Sequence, residues 1–368
     1  MTIQSSLISP TFVVASVEAA AMVDAVNALV FTKANAIAEV TGPTNPLLSI
    51  CIATMKRQSE VTRQVEKLLA LSEDLSVEIV VADASPTPDQ LAVSHPRLTV
   101  LHLAKPGGID TDYDHAILMA KGEYCWLLTD DDQVDDDVLV RLLPLLDRAD
   151  SKPSLVLIDA RVFDPSGSLL QESKLGPKFP LQLPSKALPA EFGGAAELLT
   201  YIGAVVISRS EWIRRRSEKY VGTEFRHVGL ILEAPLPGLV LVLSPPAITI
   251  QYGVAHWEPR AVKVWTSQWP AVIRDSVKTP SDWASFYSAS LPRQLFALLG
   301  FRARNLLPRS GVNTVYPQET SQLKRFAFEL VAWCPPTVAA FVVLGAAKIF
   351  HTDDRHLRFD IRRAHTRS

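Results

Sequence analysis

Six aspartates fall within eight residues in LLTDDDQVDDD (127–137), directly after an apolar run. Carboxylates crowded this closely repel one another, so ionising them together calls for a cation or for raised pKa values. Hard divalent ions such as Mg²⁺ or Mn²⁺ take oxygen ligands, and commonly bridge one or two carboxylates to a substrate's phosphates. Asp130 and Asp132 are the candidate metal ligands, and Asp135–Asp137 are expected to cap the next helix. A solvated acidic turn is the competing reading of the same residues.

A carboxylate cluster needs elements that hold it. LLSICIA (47–53), VEIVVAD (77–83), LTVLHL (98–103), EYCWLLT (123–129) and SLVLID (154–159) are short apolar runs rich in β-formers, each expected to be a buried strand. Helical spacing marks 59–71 and 110–121, and a further helix is expected from Asp135 through Leu146. This alternation predicts an α/β fold with a mainly parallel sheet covered by helices on both faces. Ligands of such sheets lie beyond the carboxyl ends of the strands. Those ends carry Thr54-Met55-Lys56-Arg57, Asp83-Ala84-Ser85 and Asp130-Asp131-Asp132, three polar clusters on one edge. Residues 165–200 read as a long irregular connection, then come a strand over 201–208, a helix start at RSEWIRR, a helix near 223–233 and a strand near 239–250.

The 368 residues hold 37 Lys and Arg against 39 Asp and Glu, which excludes a broadly basic nucleic-acid surface. Three cysteines without a CxxC spacing exclude a structural zinc knuckle and a disulfide scaffold, and fit a reducing compartment. At the N-terminus no cation precedes Lys33, and Glu18 and Asp24 interrupt the apolar stretch, so residues 12–40 are expected to form an amphipathic helix rather than a secretory signal. Residues 1–46 therefore read as a helical N-terminal extension. Residues 261–368 read as a helical C-terminal region. Within it, 330–347 carry no charge and are flanked by Lys324, Arg325, Lys348, Arg355 and Arg358, a pattern that suits an interfacial helix on an anionic membrane, or equally a buried helix against the catalytic domain or at an oligomer interface.

The stretches SICIATMKR (49–57), VEIVVADAS (77–85), KPGGIDTDYDHAI (105–117) and AKGEYCWLLTDDD (120–132) resemble, in order and spacing, the nucleotide-binding half of family 2 glycosyltransferases of the GT-A type. The GGID-DY and GEY-W-DDD phrasing looks most like the abequosyltransferase-like branch. The resemblance implies a domain over 47–260, with 47–150 taking a nucleotide-sugar donor and 151–260 taking a glycan or lipid-linked glycan acceptor, in bacterial surface polysaccharide synthesis on the cytoplasmic side. It implies that Thr54 lines the base and ribose, that Asp83 accepts hydrogen bonds from the base, and that Asp130 and Asp131 contact the donor while Asp130 and Asp132 hold Mn²⁺ or Mg²⁺. Asp83 has a rival reading as an Asx-turn cap. Lys105 and Gly108 are candidate diphosphate contacts and Asp110 a candidate donor contact, with Asp112 read as solvated.

An acceptor hydroxyl needs a base. Where the family carries an acidic pair, this chain has GTEFRHVG (222–229), so His227 and Glu224 are the candidate bases, three residues apart and expected on one helical face. His256 is the candidate third metal ligand. Trp257, Trp265 and Trp269 either stack on acceptor sugars or pack the C-terminal helices, and Arg214–Arg216 read as a solvated face. A sugar-phosphate nucleotidyltransferase and a non-catalytic nucleotide-binding scaffold at a membrane remain as alternatives. The former is disfavoured because Thr54-Met55-Lys56-Arg57, immediately after the first strand, contains no glycine for a phosphate loop.

Overall fold

The first four strands and the helices between them follow the hydrophobic pattern closely. They are β1 (Leu48–Thr54), α1 (Gln58–Leu71), β2 (Val77–Asp83), β3 (Leu98–His102), α2 (Ile109–Met119) and β4 (Tyr124–Thr129). Continuing along the chain are β5 (Gln133–Val134), α3 (Val138–Leu146), β6 (Pro153–Phe163), β7 (Leu169–Gln171), β8 (Gln182–Pro184), β9 (Val205–Ser208), α4 (Arg209–Arg215), α5 (Arg226–Leu232) and β10 (Leu239–Gln251). The computed structural model describes residues 45–86, 91, 93–148, 151–175, 180–188, 198–253, 260–277, 291–309, 321–349 and 355–366. The helix expected over 12–40, together with His256 and Trp257, lies outside them.

The main path of the sheet runs β3-β2-β1-β4-β9-β6-β10-β5, with β7 beside β6 and β8 beside β10. β1 pairs in parallel with both β2 and β4, while β9 is antiparallel to β4 and to β6, and β10 is parallel to β6. The carboxyl ends of β1, β2, β3, β4, β6 and β10 therefore share one edge. β1, β2 and β4 are covered on both faces, which is why they read as unbroken apolar runs rather than alternating ones. On one face α1 and α3 pack through Val61, Val65, Leu68, Leu139 and Leu142 onto Ile50, Ile52 and Trp126. On the other, Tyr113, Ala116 and Ile117 of α2 pack with Val228 and Leu230 of α5 on Cys51, Val80 and Leu127. Each fully buried aliphatic side chain of this kind contributes about 2 kcal/mol.

Gly122 shows how closely the sheet and the α2–β4 turn approach. Its N–H donates to Ser49 Oγ at 2.8 Å, and a Cβ there would stand 2.5 Å from the same oxygen. Ser49 in turn donates to Glu78 Oε1 at 2.6 Å, which also accepts from Lys121 N, so a buried carboxylate in a central strand is satisfied.

After β10 the described chain is helical. A turn at Ala261–Lys263 and a π turn at Val264–Gln268 lead into α6 (Trp269–Ser276), and then come α7 (Leu291–Ala303), α8 (Gln322–Trp333), α9 (Pro336–Ile349) and α10 (Arg355–Thr366). α7 lies against both α8 and α9 through Leu298, Phe301 and Ala303. α10 is tied to the carboxyl end of β10: Tyr252 Oη donates to Asp360 Oδ2 at 2.9 Å, and its ring meets His356 and Phe359 edge-on.

Three expectations fail locally. The strand expected over 201–208 begins only at Val205, because Ile202–Ala204 form a 3₁₀ turn whose Gly203 carbonyl accepts from Trp126 Nε1 at 2.8 Å. Asp135–Asp137 do not cap a helix with their side chains: Asp135 pairs with Arg161 and Asp136 with Lys67, while Asp137 stands at the N-cap position without a side-chain cap bond. The short strand β5 pairs with β10 and draws this segment away from cap geometry. Nor are Arg214–Arg216 simply solvated. The Arg215 side chain packs against Glu211 and donates to the carbonyl of Leu230 within α5 and to those of Ala234 and Pro235 just beyond it, and Arg216 pairs with Asp114 at 2.8 Å.

Candidate active site

The three polar clusters meet at the carboxyl edge of β1, β2 and β4. Thr54 Oγ1 donates to Asp130 Oδ2 at 2.7 Å. The Arg57 guanidinium spans two members of the triplet, 3.2 Å from Asp130 and 2.6 Å from Asp131. Gln64, reaching across from α1, donates through Nε2 to the carbonyls of Thr129 and Asp132, which fixes the turn that carries the aspartates. Asp83 accepts from Ser85 N at 2.9 Å through Oδ1 and from Gln58 Nε2 at 3.0 Å through Oδ2. One of its oxygens thus closes an Asx turn, and the other faces Gln58 and His102, whose Nδ1 stands 3.5 Å away.

The electrostatics set this edge apart. Burial pushes the Asp130 carboxyl up to about 6 and, reinforced by Asp131, that of Asp132 up to about 7. Asp132 is held by the Thr129 N–H at 3.2 Å and lies against Tyr201 and Gly203. A Cβ on Gly203 would stand 2.4 Å from Asp132 Oδ2, so the 3₁₀ turn requires glycine to let this carboxylate in. Burial beside Asp132 and Asp131 drives the Tyr201 phenol far above its ordinary range. Gln58 Oε1, Gln64 Oε1 and Thr129 Oγ1 are buried and have no partner within the protein. Buried polar atoms are normally paired, and three orphans around one strand edge mark a place built to receive a polar ligand.

These residues suit a divalent cation of the kind bound through one or two carboxylates and a substrate's phosphates. Asp130 and Asp132 are the side chains that could supply the oxygens, at an edge where burial raises both carboxyls. Among the described residues no group of three His, Cys, Asp or Glu side chains converges to hold a metal unaided. The third ligand expected at His256 falls outside the described residues.

A second constellation surrounds the loop before α5. Asp110, at the start of α2, accepts from Glu224 N at 2.8 Å through Oδ2 and from Arg226 N at 3.0 Å through Oδ1. It thus caps the amino end of α5 from another element, and its burial raises its pKa. Glu224 precedes the helix, with a left-handed backbone (φ +68), instead of sharing a helical face with His227. Such a conformation is costly for a residue with a side chain and persists only where the surroundings impose it. The Glu224 carboxylate meets Arg260 at 2.6 Å and is raised by partial burial. His227 turns inward: Nε2 donates to the Leu199 carbonyl at 2.9 Å, and burial lowers its pKa to about 4. The structure therefore sets Glu224, not His227, on the loop at the site edge. Since α2 comes after the carboxyl end of β3, Asp110 and Glu224 stand on the same edge as the acidic triplet.

Of the remaining expected residues, Lys105 and Gly108 are exposed in the loop that leads into α2, and Gly108 is the N-cap residue of that helix with φ +83. Asp112 is buried, not solvated, and accepts from Gly107 N at 3.3 Å, so it holds this loop. Asp114 accepts from Trp212 Nε1 and from Arg216, and stands 3.4 Å from the buried Arg226, which locks α2 to α4 and α5. Trp269 meets Phe225 edge-on and Trp265 packs against it at a tilt. Sequence reasoning passed over Gln58, Gln64, Tyr201, Gly203 and Arg260, whose roles come from long-range contacts and not from local patterns.

Residues 49–189 match the family model described as glycosyl transferase family 2. The putative colanic acid biosynthesis glycosyl transferase WcaA of Escherichia coli K12 is 33% identical over 94 residues, covering 24% of this chain and 34% of that protein. The chain thus spans about a third of the length of the curated relative it matches. Among solved structures, S. aureus TarS 1–349 in complex with UDP-GlcNAc is 16% identical, with a TM-score of 0.48 over 81% of this chain and 92% of that one. The mannosyltransferase PcManGT from Pyrobaculum calidifontis, in complex with GDP-Man and Mn²⁺, is 15% identical, with a TM-score of 0.45 over 83% of this chain and 90% of that one.

Proposed function

From residues 49–189 as a glycosyl transferase family 2 domain, we propose that the protein transfers a sugar from a nucleoside-diphosphate donor to a hydroxyl of a glycan or lipid-linked glycan, with a divalent cation, in surface polysaccharide synthesis. The observation that carries this reading is the convergence of Thr54, Asp83 and the buried, high-pKa Asp130 and Asp132 on one strand edge lined by unpartnered Gln58, Gln64 and Thr129 atoms.

In this reading Asp83 and Gln58 meet the base, and Thr54 lies under the ribose. Asp130 and Asp132 would hold a Mn²⁺ or Mg²⁺ ion, which when bound would supply charge neutralisation for a departing diphosphate. Arg57, which bridges Asp130 and Asp131, would turn toward the diphosphate, and Lys105, exposed in the loop before α2, would reach it as well. The bond between the sugar's anomeric carbon and the diphosphate oxygen breaks with its electron pair leaving on the nucleoside diphosphate. The acceptor oxygen bonds to that carbon, and its proton passes to the Glu224 carboxylate. Asp110 acts as a positioning residue, since it holds the backbone of Glu224. His227 is core packing here.

The test is donor turnover with Mn²⁺ over a panel of UDP-, GDP-, CDP- and dTDP-sugars, for wild type and Asp132→Ala. The reading expects metal-dependent turnover of one donor class and its loss in the variant. Turnover unchanged by the substitution, or pyrophosphate release from a nucleoside triphosphate, would overturn it.

A further inference from the structure

α8 and α9 carry more apolar surface than the described residues cover. Along α8, Phe328 and Ala332 face inward onto Leu298 and Phe301 of α7, yet Leu323, Phe326, Leu330 and Trp333 point out. Their spacing of three, four and three residues makes a single stripe. All four are more than half exposed. α9 repeats the arrangement: Ala339, Ala340 and Val343 are buried, while Val338, Phe341, Val342 and Ile349 form an outward stripe, with Phe341 81% exposed. Contiguous exposed apolar faces of this kind mark an interaction surface. No single helix among the described residues is long and apolar enough to cross a membrane, and α8 and α9 are bent by 105° at the Cys334-Pro335 break. Each helix therefore offers one face to the protein and one outward, the geometry of a segment lying in an interface rather than spanning it.

The surrounding charge says what the surface fits. Residues 321–368 hold eight Lys and Arg against four Asp and Glu, whereas the rest of the chain holds 29 against 35. Arg325 and Lys348 are exposed on α8 and α9 themselves. Arg309 stacks on Trp333, with its guanidinium carbon 5.4 Å from the ring centre. An apolar stripe bordered by Arg325, Lys348 and Arg309, with Glu329 the one exposed carboxylate on α8, in a segment more basic than the rest of the chain, complements an anionic lipid surface.

We infer that α8 and α9 seat the protein on an anionic membrane leaflet, with Phe326, Trp333 and Phe341 entering the acyl boundary. The placement also orients the site. α10, packed on α9, is pinned at the carboxyl end of β10, and the run from Ala261 to Ser276 joins α7 and α8 to Phe225 next to Glu224. The lipid-facing helices thus attach at the strand edge that holds the acidic triplet, which brings that edge close to acceptors carried in the bilayer. The membrane contact itself does not depend on the proposed reaction.

Co-sedimentation of the full chain with vesicles tests the inference. Wild type is expected to pellet with phosphatidylcholine vesicles containing about one third phosphatidylglycerol, at least about tenfold better than with phosphatidylcholine alone, and less in high salt. Phe326→Glu, Trp333→Glu and Phe341→Glu combined are expected to weaken binding at least about tenfold while leaving the melting temperature and turnover of soluble donor unchanged. Phe341→Ser alone, a milder change at the most exposed position, is expected to weaken it about threefold. No preference for anionic vesicles, or equal pelleting of the variants, would overturn the inference. So would a wild-type oligomer, seen by light scattering without lipid, that the substitutions break into monomers, because a second copy would then cover the stripe. Failure of donor turnover with intact vesicle binding would count against the proposed reaction alone.

Discussion

The raised carboxyl of Asp132 makes a thermodynamic prediction that needs no substrate. Its native pKa is about 7, against about 3.9 in an unfolded chain. Between those values the native state keeps a proton that the unfolded state releases, so stability contributed by this group falls as pH rises through the window and is flat above it. At about 1.4 kcal/mol per pH unit, the change from pH 5 to pH 8 is about 3 kcal/mol. Asp132→Asn removes the titration yet keeps an oxygen to accept from Thr129 N. The stability of wild type relative to the variant should therefore drop by about 3 kcal/mol across that range, or about 5 °C in melting temperature for a chain of this size. Taking the difference between the two proteins cancels the other titrations, including that of His227, whose lowered native pKa pulls stability the opposite way. Calorimetry in chelator-containing buffer at pH 5, 6, 7 and 8 gives the curve. Adding Mn²⁺ should flatten it in wild type alone. A difference that stays constant with pH, or that grows in favour of wild type, would refute the claim that an uncompensated buried carboxylate sits at this edge.

Arg57→Ala should cost about 1–3 kcal/mol at pH 7.5 by leaving Asp130 and Asp131 without their cation, and roughly half as much at pH 5, where Asp130, at about 6, holds a proton; urea unfolding at the two pH values measures both. Gly203→Ala should destabilise by about 1–3 kcal/mol through overpacking and lower Mn²⁺-dependent turnover at least about tenfold, since the new methyl takes the space of Asp132 Oδ2; unchanged kinetics would show that Asp132 is not placed by this turn. Glu224→Gln should lower kcat by about 10²–10⁴ with donor KM preserved. Glu224→Gly should lower it similarly while changing stability by less than about 1 kcal/mol, because glycine relieves the left-handed backbone. Equal loss of fold in the glycine variant would assign Glu224 a structural role.

The polar strand edge was legible because each of its parts is local. Strands buried on both faces must be unbroken apolar runs, so β1, β2 and β4 announced themselves, and the residues immediately after each of these strands must project from the same edge. The acidic triplet needed only its place after β4. The other half was harder to read because its logic lies in distant contacts. Nothing in GTEFRHVG reveals that Asp110, more than a hundred residues earlier, caps the helix and holds Glu224 in a left-handed turn, so the two candidate bases looked alike when one of them is core. YIGAVVIS read as a strand throughout from its β-branched residues; Val205–Ser208 form one, while Ile202–Ala204 form a 3₁₀ turn whose Gly203 lets Asp132 approach. Asp112 and Arg215 read as surface by charge alone, but Asp112 is buried and Arg215 is held by the carbonyls of Leu230, Ala234 and Pro235.

Titration calorimetry of nucleoside-diphosphate sugars, with and without Mn²⁺, on wild type and on Asp130→Ala and Asp83→Ala, reaches the central claim most directly. One donor class should bind with Mn²⁺ and at least about tenfold more weakly without it. Asp130→Ala should erase the difference made by the metal, and Asp83→Ala should weaken binding whether or not the metal is present. Tight donor binding that neither substitution disturbs would place the site elsewhere on the molecule.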